Sequence, residues 1–264
     1  MKTMLFPLLL AASAVSASAA PATEAELNQM SKRFAPVALT ADTAHLSAGD
    51  KQAIAKLIEA AKIVDVLQLR QRWPQNEALW AALQRDTTPL GKARLNYFWL
   101  NKGPWSIIDG NASFLPAQLA GIAIPATKPA AGNFYPAGAS KQALETWING
   151  LPAADKEQAQ WFYTVIRAGA DGKFKTVPYA EEYQPELTRL ATLLKEAAAA
   201  TDNASLKKFL TLRADAVLSN DYLASDFAWM DLDSPVDVTI GPYETYNDEL
   251  FGYKAAFEAY VNIR

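Results

Sequence analysis

The feature that most constrains the fold is a long amphipathic helix predicted over residues 47–72. Ser47 is placed to cap its start, and Trp73-Pro74 ends it. Apolar side chains recur at helical spacing at Ile54, Leu57, Ile58, Ala61, Val64 (or Asp65) and Leu69. With shorter helices predicted over residues 23–34, 76–84 and 89–100, this pattern indicates a mostly helical first half.

Later segments mix helices with a few strands. Helices are predicted over residues 140–149, 153–161 and 222–230, and two more have clear apolar stripes. Those stripes are Leu187, Leu190, Leu194 and Ala197 in residues 185–200, and Leu206, Leu210, Ala214 and Val217 after the cap Asn203. Residues 162–166 and 173–177 flank a turn-rich tip, and Val236, Val238 and Ile240 alternate opposite Phe257, Ala259 and Val261. The predicted class is α+β, with a predominantly helical part followed by a small antiparallel sheet.

Between the helices lies an irregular segment, residues 103–138, in which Pro and Gly recur. Its apolar side chains, Trp105, Ile107, Ile108, Phe114, Phe134 and Tyr135, predict a packed segment rather than a floppy one. Long ordered loops often have functional residues, and a structural wrap over the helices explains the same pattern. The sequence leaves both interpretations open.

The N-terminus has the pattern of an export signal. Lys2 is followed by an apolar stretch over residues 5–15 and small residues at 16–20, so we predict a signal peptide over residues 1–20 and a periplasmic or secreted protein. The apolar stretch is too short to span a bilayer, and no other candidate span follows, so no membrane span is predicted. The chain has no Cys, so its stability must come from its core. A net charge of −3 argues against a nucleic-acid partner.

Residues that could hold a metal are scarce. Zinc hydrolysis needs imidazole or thiolate ligands, but the only His is His45 and no His-Glu-x-x-His motif is present. A Ser–His–Asp triad that uses His45 is possible by count, although no Gly-x-Ser-x-Gly elbow is present. Asp231 and Asp233 would share one face of a strand, but a turn before Ser234-Pro235 is favoured. No metal ligand is therefore predicted in this chain.

Glu244 and Tyr246 form the most informative pair. If the backbone is extended there, both side chains project to the same face. A carboxylate can bind a substrate ammonium, and a phenol can donate to an oxyanion in a tetrahedral intermediate. The spacing alone is also typical of an exposed strand end.

Several blocks of the sequence resemble the dipeptidyl peptidase III family of zinc metallopeptidases, especially its exported bacterial members. Residues 240–248 resemble the family's Ile-Gly-x-x-Glu-x-Tyr-x-Asp segment, and residues 257–261 resemble its Phe-Glu-x-Phe/Tyr-Val strand. The other blocks are residues 90–105, 132–136, 178–183 and 221–232. Together they cover most of the predicted mature chain.

The resemblance implies a two-lobed enzyme that releases dipeptides from short peptides with a free N-terminus. By position, Glu244 would bind the substrate ammonium and Tyr246 would be catalytic. The zinc of the complete family member is bound by a His-Glu-x-x-x-His motif and a further Glu, which this sequence lacks. We therefore expect an N-terminal portion of the enzyme that holds no cofactor itself and is inactive alone. A separate C-terminal chain would then be a partner.

The expected organisation follows from the resemblance. Residues 21–170 would form a mostly helical N-terminal region, and residues 171–264 a helix pair and the start of the family's β-core. Two other functions remain open: a non-catalytic exported module that binds peptides at Glu244 and Tyr246, and a helical protein with an unrelated structural role.

Overall fold

The computed structural model describes residues 20–264, which have an α+β fold. The helices are α1 Glu24–Ser31, α2 Ala48–Arg72, α3 Asn76–Arg85, α4 Pro89–Asn101, α5 Lys141–Asn149, α6 Ala153–Gln160, α7 Tyr179–Glu182, α8 Gln184–Ala200, α9 Ala204–Ser219 and α10 Leu223–Met230. The strands are β1 Trp105–Ser106, β2 Ala112–Ser113, β3 Gln118–Leu119, β4 Ile122–Ala123, β5 Thr164–Ala168, β6 Phe174–Pro178, β7 Val236–Glu244 and β8 Ala256–Ile263. Except for Ala20, the predicted signal peptide lies outside the described residues.

Helix α2 begins where the sequence predicted. The Ser47 side chain accepts a hydrogen bond from the Asp50 backbone N–H, which satisfies one free donor of the first turn. The buried face differs slightly from the predicted one, because Ile58 is exposed. The residues that α2 buries are Asp50, Ala53, Leu57, Ala60, Val64, Leu67, Leu69 and Gln71. Adjacent apolar positions such as Leu57 and Ile58 leave the direction of a stripe ambiguous until the packing partner is known.

The larger core joins α2 to α8, α9 and the β7–β8 pair. Helix α2 packs against both α8 and β8. The stripes predicted for α8 and α9 are confirmed, since all eight of their side chains are fully buried. Burial of a Leu side chain contributes roughly 1.5–3 kcal/mol, so this packing supplies much of the folding free energy.

A smaller core lies between α1, α3, α4, the end of α2 and the irregular segment at residues 103–138. Trp105 and Phe114 from that segment are buried there, whereas its Phe134 and Tyr135 belong to the larger core. Ile107 and Ile108 were expected to pack, but they are about half exposed on a short 3₁₀-helix. Most of the segment is therefore a packed wrap.

The strands pair as four antiparallel two-stranded sheets: β1 with β2, β3 with β4, β5 with β6 and β7 with β8. In the last pair Val238 lies opposite Val261 and Ile240 opposite Ala259, as the alternation predicted. The proposed division of the chain at residue 170 stays a prediction. None of the described helices has the length and apolar character needed to cross a membrane.

Candidate functional site

The β7–β8 pair positions the carboxylates of the candidate site. Val236, Val238 and Ile240 point into the core, so alternate residues of the ladder point the other way. Glu258 of β8 lies opposite Gly241, and Glu244 at the end of β7 lies opposite Ala256. The ladder is irregular between Pro242 and Glu244. Both glutamates therefore come from one end of the same strand pair.

Tyr246 lies beyond the strand. Strand β7 ends at Glu244, and Tyr246 is in the following turn with 69% of its surface exposed. The extended backbone that would place Glu244 and Tyr246 on the same face therefore does not continue to Tyr246, because the strand ends two residues earlier. The turn itself places the phenol in solvent beside the strand end.

Four side chains of this region, Glu244, Tyr246, Glu258 and Tyr260, influence one another through their charges. Burial raises the pKa of Glu258, and the negative charge of Glu244 raises it further. The pKa of the Tyr260 phenol is raised first by Glu258 and then by its burial, with smaller effects of Tyr246 and Glu244. The Tyr260 hydroxyl also donates a hydrogen bond of 3.3 Å to Glu258 Oε2. Sequence reasoning missed Glu258 and Tyr260 as site residues, although both lie in the strand that resembles the family.

A groove lies beside this cluster, between α2 and β8. It has a volume of about 270 Å³. The lining residues are Ala61, Val64, Asp65, Gln68, Lys102, Phe257, Glu258, Ala259 and Tyr260. Lys102 Nζ lies 3.0 Å from Asp65 Oδ1 on the helical side. The groove thus has charged groups on both walls and aromatic groups on the β8 wall.

Gln71 fixes the start of β8 against α2. Its amide Nε2 donates to the Ala255 carbonyl at 3.3 Å, and its Oε1 accepts from the Phe257 N–H at 2.8 Å. The amide therefore pairs with the strand backbone as a neighbouring strand would. Gln71 lies on the buried face of α2, which also contains Leu57, Ala60, Val64 and Leu67. A polar residue on an otherwise apolar helix face was the sequence signal that could have identified Gln71.

Asp248 organises the loop between β7 and β8. Its carboxylate is almost completely buried and accepts a 2.7 Å hydrogen bond from the Tyr135 hydroxyl. It also accepts hydrogen bonds from the backbone N–H groups of Leu250, Phe251, Tyr253 and Lys254. One side chain thus holds the loop that contains Tyr246, and joins it to the irregular segment.

On its inner side the same loop is held by Lys254. This side chain is fully buried, and its Nζ lies 2.6 Å from the Ala159 carbonyl, 3.0 Å from the Trp161 carbonyl and 2.8 Å from Thr164 Oγ1. Burial lowers the pKa of Lys254 to about 7, and the Asp248 charge opposes that change.

The buried Lys254 predicts a pH-dependent stability. An unfolded Lys titrates near pH ~10.4, so between about pH 7 and pH 10 the unfolded chain binds more protons than the folded one. The free energy of unfolding should therefore rise with pH across this window, by up to about 1.4 kcal/mol per pH unit. Urea unfolding at several pH values between about 7.5 and 9.5 measures the slope. Lys254→Met should be less stable and should lose this slope; an equal slope in the variant would contradict the assignment.

Arg213 fixes the other side of β7. It is buried on α9, donates to Asp226 Oδ1 at 2.6 Å, and lies over the rings of Tyr222 and Tyr243. Gly241 has φ +146°, and a Cβ there would lie 3.0 Å from Arg213 Nη1. The glycine therefore lets the guanidinium approach the strand backbone.

The remaining candidates from the sequence lie apart from this site. His45 is exposed in the loop before α2. The Asp231 and Asp233 side chains are exposed after α10, where the Asp233 carbonyl accepts from Asn203 and Ser205, as a turn predicts. Within residues 20–264 no group of three His, Cys, Asp or Glu side chains is placed to hold a metal ion.

Comparison with known proteins gives similar solved structures that are dipeptidyl-peptidases III and a curated relative that has another name. No family model matches the chain. The structure of dipeptidyl-peptidase III from Corallococcus sp. strain EGB is similar to this chain, with a TM-score of 0.88 and 51% sequence identity. The match covers 93% of this chain and 44% of the Corallococcus chain. The structure of DPP III from Caldithrix abyssi is also similar, with a TM-score of 0.83 and 40% sequence identity. The match covers 90% of this chain and 44% of the Caldithrix chain.

These two structures confirm the predicted resemblance to the dipeptidyl peptidase III family over most of this chain. Both identities are high enough that the likeness extends beyond the fold, and the coverage agrees with an N-terminal portion. The chain spans less than half the length of these dipeptidyl-peptidase III structures. It is also 36% identical over 280 residues to Nudix hydrolase 3 of Arabidopsis thaliana, across 90% of this chain but 36% of that relative.

Proposed function

We propose that this chain supplies the part of a dipeptidyl peptidase III-like metallohydrolase that recognises the free N-terminus of a peptide. The observation that supports the proposal is the electrostatic interaction of Glu244 and Tyr246 with Glu258 and Tyr260, which line the groove between α2 and β8. Glu244 would bind the substrate ammonium, and Tyr246 would stabilise the transition state.

The electrostatics of the cluster favour an ammonium ligand. Burial is the main reason that the pKa of Glu258 is raised, and the like charge of Glu244 adds a smaller increase, so the two carboxylates repel each other when no cation is present. A bound ammonium would relieve that repulsion and donate charge-assisted hydrogen bonds to the carboxylates. The exposed Tyr246 phenol is free to turn toward a substrate carbonyl, where a hydroxyl donor would stabilise a developing oxyanion.

The residues of this chain do not fit the zinc ion of the family. Its only His is exposed, and the described residues contain no cluster of three suitable donors. In the complete enzyme zinc would polarise the scissile carbonyl and activate water. We therefore propose that this chain alone, with zinc in the buffer, releases no dipeptide from a tetrapeptide.

Isothermal titration calorimetry with tetra-alanine and N-acetyl tetra-alanine tests the recognition step. We expect the free amine to bind about 10-fold tighter than the acetylated peptide, since a charge-assisted hydrogen bond is worth about 1.5–3 kcal/mol. Glu244→Gln should remove most of this preference. Tyr246→Phe should leave it nearly unchanged, because an oxyanion donor acts mainly in the transition state. Glu145→Gln, an exposed substitution on α5, is the matched control.

The alternative functions make different predictions in the same assay. A non-catalytic peptide-binding module gives the same amine preference, but its release of dipeptide stays absent after the zinc-containing portion of a dipeptidyl-peptidase III is added. A protein with a structural role binds both peptides equally and is indifferent to Glu244→Gln. Equal binding of the two peptides would contradict the proposal.

We also propose that the protein is exported. Residues 1–20 have the charge, apolar stretch and small residues of a signal peptide. Expression of the complete sequence in a Gram-negative bacterium should give a periplasmic product whose N-terminus, measured by mass spectrometry, is Pro21 or a nearby residue.

A further inference from the structure

The exposed face of α10 is unusually apolar. Leu223, Phe227 and Met230 follow one another at helical spacing and are 64%, 59% and 72% exposed, and Trp229 is also exposed. The buried face of the same helix consists of the smaller Ser225 and Ala228. The helix thus presents its large apolar residues to solvent. Contiguous apolar surface of this kind marks an interaction site more often than an ordinary surface.

The stretch of sequence that contains α10 is acidic, although Arg213 of α9 forms an ion pair with Asp226 of this helix. Residues 214–253 contain nine Asp or Glu residues and no Lys, Arg or His. Several of these carboxylates already have partners within the fold: Asp215, Asp226 and Glu249 form ion pairs, and Asp248 is buried in its hydrogen-bond network. Asp221, Asp231 and Asp233 are exposed at the two ends of the helix. The apolar stripe is therefore bordered by carboxylates at both ends.

The carboxylates at the end of α10 have an electrostatic cost. Asp231 is the C-cap residue, and Asp233 follows two residues later. Negative charge at a helix C-terminus opposes the helix dipole. The described residues give neither of these side chains an ion-pair partner. A cation from a partner would remove this cost.

We propose that the α10 stripe is a docking surface for a cationic amphipathic helix of a partner polypeptide. The apolar side chains of that helix would cover Leu223, Phe227 and Met230, and its Lys or Arg residues would lie against Asp221, Asp231 and Asp233. A second copy of this chain fits less well, since a symmetric contact would bring like charges together. An anionic membrane would be repelled by the same carboxylates. The surface is independent of peptide binding at Glu244.

Fluorescence anisotropy with designed peptides tests the charge preference. The ligand is a labelled Leu/Lys helix of about 18 residues, or five turns, with its leucines on one face, and the comparison is the same peptide with Glu in place of Lys. We expect the Leu/Lys peptide to bind about 10-fold tighter than the Leu/Glu peptide at low salt, and the difference to shrink as salt is raised. Equal binding of the two peptides would overturn the proposal.

Variants locate the surface. The double variant Phe227→Ser, Met230→Ser changes only exposed side chains and should weaken binding of the Leu/Lys peptide about 10-fold. Asp231→Asn with Asp233→Asn should remove the preference for Lys over Glu. Ile107→Ser with Ile108→Ser, a similarly exposed apolar pair elsewhere, is the control and should bind as the original protein does.

Other occupants give recognisable results that overturn the proposal. A second copy is the occupant if sedimentation shows a dimer, if the double variant Phe227→Ser, Met230→Ser is monomeric, and if the Leu/Lys peptide leaves the dimer intact. A lipid surface is the occupant if phosphatidylcholine vesicles bind the protein through the stripe and compete with the peptide. Loss of binding in the Ile107→Ser, Ile108→Ser control would show non-specific apolar adhesion.

Discussion

Asp248→Ala should lower the free energy of unfolding by about 3–5 kcal/mol. The Asp248 carboxylate is 2% exposed and accepts hydrogen bonds from one hydroxyl and four backbone N–H groups. Alanine leaves these donors without an acceptor. It also removes the negative charge of Asp248, which favours the protonated form of Lys254. Urea denaturation followed by circular dichroism measures the change.

Two further variants make the Asp248 prediction specific. Asp233→Ala removes an exposed carboxylate from the same stretch of sequence and should change stability by no more than about 0.5 kcal/mol. Asp248→Asn should lie between the original protein and Asp248→Ala, because an amide keeps one acceptor oxygen but turns an NH₂ group toward the donors. A loss under about 1 kcal/mol in Asp248→Ala would mean that the loop reorganises around other acceptors.

Phe257→Ala should lower the free energy of unfolding by a similar amount, about 3–5 kcal/mol. The ring is fully buried, with its centroid 5.7 Å from that of Tyr179 and 5.9 Å from that of Tyr183. Its removal opens a cavity where β8 meets α7 and α8, at the strand end that Gln71 pins to α2. Thermal and urea unfolding of the variant measure the loss.

The same strand offers a matched control for Phe257. Tyr260 is three residues further along β8 but is mostly exposed, so Tyr260→Ala should cost no more than about 1 kcal/mol. Equal losses in the two variants would contradict the assignment of Phe257 to the core. Because Phe257 also lines the groove, its substitution should alter peptide binding even at temperatures where the variant stays folded.

The irregular segment at residues 103–138 has a definite relation to the site. The Tyr135 hydroxyl of this segment donates a hydrogen bond to Asp248. The Tyr135 ring packs edge-on against Phe251, with the ring centroids 5.4 Å apart. Lys128 forms a 2.8 Å ion pair with Glu249 of the same loop. The segment therefore acts as a structural wrap whose contacts support the turn that contains Tyr246.

The sequence was sufficient for the helices, because their signals are local. Ser47 and Asn203 are N-caps as predicted, and each accepts a hydrogen bond from a backbone N–H of its first turn. The α8 and α9 stripes and the pairing of β7 with β8 follow from periodicities of 3.6 and 2 residues, which neighbouring residues alone determine. The resemblance of residues 240–261 likewise pointed to the family whose solved structures are similar to this chain.

Only the tertiary structure decided how these elements make a site. Glu258 reaches Glu244 through strand pairing, Gln71 reaches β8 from a helix far earlier in the chain, and Asp248 meets Tyr135 across 113 residues of sequence. The strand end at Glu244 and the outward face of α10 also depend on what packs around them. Local propensity specifies where helices and strands form, but buried polar contacts and exposure depend on which distant residues meet. A single sequence does not encode that information in any local pattern.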